Sequence, residues 1–126
     1  MLEGAYIALV WLFVKHFICD FLLQATPWIY RNKGTYGHAG GLAHSALHGI
    51  GTFAALAYWL GIHAWLYALA DALIHYHIDW AKMNANQKLN LKPDNSEWFW
   101  ILLGFDQLLH HLTYLGIIAI AFKVHV

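Results

Sequence analysis

Four apolar stretches, at about residues 4–25, 40–60, 62–81 and 98–122, each carry ionisable side chains four positions apart. The first holds His16 and Asp20, the second His44 and His48, the third Asp71, His75 and Asp79, and the fourth Asp106 and His110. Each stretch is close to the ~20 residues that span ~30 Å of hydrocarbon at 1.5 Å rise per residue. At about 100° per residue, positions four apart lie within about 40° of each other, one turn along. Every helix then presents one polar stripe on an otherwise apolar cylinder. An aspartate facing lipid costs ~2.5–3.5 kcal/mol on insertion scales, so the stripes are expected to converge on a common axis. The expected fold is an all-α integral membrane protein, a four-transmembrane-helix bundle with a polar His/Asp core, as one domain over residues 1–126.

Composition agrees with that reading. The chain is 60% hydrophobic and 11% charged, where a soluble domain carries about 25% charged residues. Seven basic and seven acidic residues could hardly cover a small globule. The zero net charge argues against a nucleic-acid binder of the basic-patch kind, and the single Cys19 excludes an internal disulfide. The start, Met1-Leu2-Glu3, is acidic where a signal peptide is basic, so the first apolar segment is read as retained.

Punctuation is sparse. Thr26-Pro27 ends the first helix, Gly34 to Gly37 forms a polar loop, and Gly61 marks a tight turn. Residues 83–97 read as a polar loop, with Asn95 or Ser96 capping the last helix. Arg31, Lys33, Lys82, Lys88 and Lys92 fall on one side of the bundle and Lys123 on the other. The positive-inside rule then puts loops 26–39 and 82–97 in the cytoplasm and both termini outside. A small-residue row, Gly37, Gly41, Ser45 and Gly49, suits close helix packing.

Alternating helix direction sets the polar groups at matching depth. Asp20, His44 and Asp79 fall roughly 6–9 Å below the cytoplasmic boundary, and His16, His48, His75 and Asp106 about 12–15 Å, with His110 deeper. Imidazoles and carboxylates one turn apart can chelate an ion. His16, Asp20, His44, His48, His75, Asp79, Asp106 and His110 are therefore candidate ligands for one or two divalent metal ions. Zinc leads, with iron, manganese or nickel as alternatives to it. Asp20 or Asp79, nearest the mouth, is the candidate catalytic base or bridging ligand. Gln107 and Asp71 are expected to orient the ligands. Gln24, Lys33 and Lys82 are candidates for holding an anionic headgroup, although lysines there also snorkel by default. Lys15 lies off the stripe and is expected to snorkel or meet a lipid phosphate. His38, His63, His77 and His125 read as ordinary polar or interfacial residues, and His111 stands about 100° from His110.

The ordered motifs His16-x3-Asp20-Phe21-x-Leu23-Gln24, Asn32-Lys33, His44-x3-His48, His75-x3-Asp79-x2-Lys82 and Asp106-Gln107-x2-His110 resemble the bacterial and phage membrane family called domain of unknown function 3307. That resemblance implies a small multi-helix protein of a bacterial inner membrane, and no activity. Ala43-His44-Ser45 also resembles, over a short segment, small inner-membrane metal-dependent hydrolases. The leading functional expectation is an intramembrane metal-dependent hydrolase acting on a membrane lipid or lipid-linked substrate, such as a phosphoester. The alternatives are a carrier or channel for metal ions or protons, and a metal-stabilised accessory protein gripping a larger membrane partner. A homo-oligomer is a further candidate. Tyr6–Phe13 and Leu115–Phe122 carry no charged residue, which weighs against a continuous pathway.

Overall fold

The computed structural model describes residues 2–123; His125 and Met1 lie outside them. Helix α1 (Leu2–Phe17) runs on through a π turn (Ile18–Leu22) and a 3₁₀ turn (Leu23–Ala25). Pro27 then opens the one-turn helix α2 (Pro27–Tyr30) at the position where a missing N–H costs nothing. Three long helices follow: α3 (Ala39–Leu60), α4 (Ala64–Lys88) and α5 (Glu97–Phe122).

Three helical stretches are long and apolar enough to cross a membrane: Leu2–Ala25, Ala39–Lys88 and Glu97–Phe122. The middle one is α3 and α4 joined by a 3₁₀ turn over Gly61–His63, where Gly61 takes φ 55°. The chain reverses there, so that Gly41 meets Tyr76 and Gly49 meets Ala68. A Cβ on Gly49 would stand 3.1 Å from the Ala68 carbonyl oxygen and 3.2 Å from the Ala72 methyl. Small residues thus let α3 and α4 touch backbone to side chain.

Two sequence expectations are corrected. Gly37 does not belong to the small-residue row on α3: it precedes the helix, at φ 79°. Residues 83–88 are helical rather than looped, because Asn84, Asn86 and Gln87 stay on the α4 ladder. There Asn84 Nδ2 donates to the Trp80 and Gly34 carbonyls, tying α4 to the preceding loop. Of the two proposed caps for α5, Ser96 fills the position, its hydroxyl accepting from Trp98 N–H.

Polarity is inverted relative to a water-soluble globule. Val10, Trp11, Phe17, Ile50, Leu73 and Leu108 are among the exposed large apolar side chains. His44, His48, His75, His110, Asp71 and Asp106 are among the largest fully buried ones. The interior has two storeys. Ala5, Ala8, Leu12, Leu56, Ala64, Tyr114, Ile117 and Phe122 fill the half nearest the Gly61 turn, and the titratable side chains fill the other. Gly49→Leu is expected to cost about 1–3 kcal/mol through overpacking. Gly104→Ala, with nothing within 4 Å of its Cβ, should hold or raise stability by up to about 1 kcal/mol. Melting of both variants in detergent checks this.

Candidate metal centre

Each long helix contributes one turn to the polar storey. Asp20 lies in the π turn of the first stretch, a wider winding that recurs at functional positions. His44 and His48 come from α3, His75 and Asp79 from α4, and Asp106 and His110 from α5. All of these and His16 are buried.

Four donor atoms form a compact set: Asp20 Oδ1, His44 Nε2, His75 Nε2 and Asp79 Oδ2. Five of their six separations are 3.0, 3.2, 3.2, 3.4 and 3.2 Å. A tetrahedral ion with bonds of about 2.0–2.1 Å requires donor–donor edges of about 3.3 Å. His16, Asp20, His48 and His75 form an overlapping set, and Asp20, Asp106 and His110 a third, each with donor atoms within 4.8 Å of one another. His110 Nε2 stands 3.5 Å from both Asp79 Oδ1 and Asp106 Oδ1. Asp20 is common to all three sets, and Asp79 Oδ1 points away from its own set toward His110.

Hydrogen bonding alone leaves this layer incomplete. His110 Nε2, Asp79 Oδ1 and Asp106 Oδ1 are buried with no hydrogen-bond partner, as are the outer nitrogens of His44 and His75. Buried lone pairs of this kind are costly. Two imidazole nitrogens facing each other at 3.2 Å, both beside carboxylates, suit a shared cation. The donor set fits a divalent ion that favours N/O ligands.

The remaining members are engaged at both ends. His16 Nε2 is 2.8 Å from Gln107 Oε1 and its Nδ1 2.8 Å from the Tyr114 hydroxyl. The Gln107 amide nitrogen donates to Asp20 Oδ2 at 3.2 Å and Asp106 Oδ2 at 3.1 Å. Gln107 thus ties α5 to the first helical stretch. His48 has Nε2 3.1 Å from Asp20 and Nδ1 3.2 Å from Lys15 Nζ. An ammonium has only donors, so Lys15 fixes the proton of neutral His48 on Nε2, which donates to Asp20.

Lys15 is a correction to the sequence reading. It neither snorkels nor meets lipid phosphate; it is buried, 2.6 Å from Asp71 Oδ2, which also accepts from Thr52 Oγ1 at 2.6 Å. Its ammonium also lies 4.7 Å above the Tyr114 ring. Asp71 thus reaches the histidines through Lys15 and touches none of the donor sets. Thr52 and Tyr114 were not legible as site residues. The available signal was Asp71 itself: a carboxylate one turn beyond His75 needs a cation at its own depth, and Lys15 is one residue from His16.

The loop side is closed by cations. Lys33 is buried 2.8 Å from Asp79 Oδ2 and donates to Gln24 Oε1 at 2.8 Å, rather than standing open at the head of a basic loop. Burial would lower its ammonium pKa, but Asp79, Asp20 and Asp106 outweigh that and hold it above the ordinary lysine range. Lys82 pairs with Asp106 at 3.2 Å and is half-buried. Among the other histidines, His38 accepts from Gly40 N–H at the start of α3 and His77 is exposed beside Tyr36. His63 lies in the 3₁₀ turn, and His111 packs against the His16 ring at 5.5 Å.

An all-helical bundle with a buried His/Asp cluster placed to hold a metal ion is the class these features define. The chain belongs to the family described as protein of unknown function (DUF3307), which it matches over residues 8–126. No curated protein and no solved structure matches it. The short hydrolase-like segment at Ala43–Ser45 is supported by none of these comparisons.

The Lys15–Asp71 pair gives a separable prediction. Lys15→Met alone should cost about 3–5 kcal/mol by leaving Asp71 unpaired. The double variant Lys15→Met/Asp71→Leu should recover most of that loss in the same detergent melt.

Proposed function

We propose that the bundle lies in the bacterial inner membrane with loops 26–39 and 82–97 cytoplasmic, and acts there as a metal-dependent hydrolase on a lipid-linked substrate. The observation that carries the metal reading is the near-tetrahedral set Asp20, His44, His75 and Asp79. Asp20, Asp106 and His110 form a smaller set, in which Asp106 Oδ1 and His110 Nε2 are buried without a hydrogen-bond partner. Closed four-donor sites hold structure, whereas three-donor sites leave a position for water or substrate. The first set would then hold a structural ion and the second a reactive one, with Asp20 common to both sets. Zinc fits the N/O donors and the tetrahedral edges; iron, manganese and nickel are the alternatives.

A bound divalent ion supplies a polarised scissile group and a water of lowered pKa. The chain supplies the rest. His16, His48 and Gln107 hold Asp20 in place. Lys33 holds Asp79. Lys82 and Gln107 hold Asp106 in place. The apolar storey above the site weighs against the ion-carrier reading, because no polar side chain continues the stripe through Leu12, Leu56 and Ile117.

The test is phosphoester and ester turnover by the full chain in mixed lipid micelles. Activity should vanish with chelator and return with zinc. His110→Ala should lower it by at least about 100-fold, as loss of a ligand does, and His38→Gln by less than about twofold. Chelator-insensitive turnover, or no turnover of any lipid class by metal-loaded protein, overturns the hydrolase reading.

A further inference from the structure

Two cavities meet at Lys82. The first, about 650 Å³, is a groove between α4 and α5 lined almost wholly by apolar side chains, including Ile74, Ile78, Ala81, Leu102 and Phe105. It runs along α4 from Leu73 to Ala85, with Lys82 and Asp106 in its lining. The second, about 610 Å³, lies at the loop end and is lined by Arg31, Lys33, Lys82, Lys92 and Asn86, with no acidic residue. Lys82 is common to both linings. Its ammonium is held only by Asp106, at 3.2 Å.

We propose that an anionic membrane lipid enters sideways between α4 and α5, with one acyl chain in the groove and its phosphate among Lys82, Arg31 and Lys92. This names the substrate class of the hydrolase reading and rests on it for chemistry, but not for binding. The groove follows about three turns of α4, from Leu73 to Ala85, and its polar lining is confined to His77, Lys82 and Asp106. The loop cavity offers a phosphate Arg31 and Lys92 with no carboxylate in the lining, and Lys82 once it leaves Asp106. Lys33, already beside Asp79, sets the floor of that cavity. A phosphate beside Lys82 competes with Asp106 for the ammonium. Binding then frees the Asp106 carboxylate beside His110, so arrival of the lipid is coupled to exposure of the reactive donor set.

The experiment is lipid retention by the full chain in detergent, read by native mass spectrometry with phosphatidylglycerol and phosphatidylcholine supplied together. Wild type should retain the anionic lipid about tenfold over the zwitterionic one. Arg31→Gln/Lys92→Gln should bring the ratio to within about twofold, because the remaining cation, Lys82, is already paired with Asp106. Ala81→Trp or Ala85→Phe, which fill the groove, should lower retention of both lipids. Metal content and melting temperature should be unchanged in the Arg31/Lys92 variant, and one correctly melting groove variant suffices for the other arm. Equal retention of the two lipids by wild type overturns the proposal. So does anionic selectivity that survives both sets of variants. Displacement by inorganic phosphate with no effect of the groove variants would mean a free-anion site and also overturn it. Selective retention that persists after chelation, without turnover of any lipid, would remove the hydrolase reading and leave the lipid site standing. Turnover without selective retention would do the reverse.

Discussion

Everything in the polar storey depends on keeping Asp20 and Asp79 ionised where almost no water reaches. An unpaired carboxylate in such surroundings is costly enough to drive protonation or unfolding. The chain surrounds Asp20 with His16, His44, His48, His75 and Gln107, and Asp79 with Lys33, His44, His75 and His110. These partners come from every long helical stretch and from the loop before α3. The two carboxylates therefore fix helix register as well as local charge. Donor atoms left over after that pairing, at His110, Asp79 and Asp106, are the ones a cation would use.

Outward from these aspartates the interior is layered. Lys33 and Lys82 close the loop side, while Lys15, Asp71, Thr52 and Tyr114 close the opposite side with a network joined to the site through His48 and His16. Beyond that network the described interior is filled by apolar and aromatic side chains, Leu12, Leu56, Ile117 and Phe122 among them. A site capped by cations at one end and sealed by apolar packing at the other suits chemistry on an amphiphile better than passage across the bundle. The small residues Gly41 and Gly49 allow this by letting α3 and α4 approach closely enough for His44 and His75 to touch.

Much of the candidate site could be read from the sequence, because i, i+4 spacing within apolar stretches leaves an ionisable stripe one place to go. The helix positions followed the same hydropathy, and all eight candidate donors lie in the storey it implies. Three things were hidden. The helical extension over Met83–Lys88 is polar and so carries no hydropathy signal, yet Asn84 anchors it to the Gly34 carbonyl. The π turn at Asp20 changes the winding without any proline or glycine to announce it. Lys15 and Lys33 read as snorkelling or loop cations because a lysine's stem reaches far from its Cα, and only the fold reveals the carboxylate at the other end.

The central claim is that the Asp20–His44–His75–Asp79 set holds an ion, and elemental analysis of the purified chain beside Asp79→Ala tests it most directly. The account predicts at least one divalent ion per wild-type chain and a loss of at least half of it in the variant, because Asp79 supplies one of the four donors of that set. Wild-type protein that retains well under one ion per chain after metal-replete purification, yet melts as a folded bundle, would contradict it. The polar storey would then be hydrogen-bonding glue between helices.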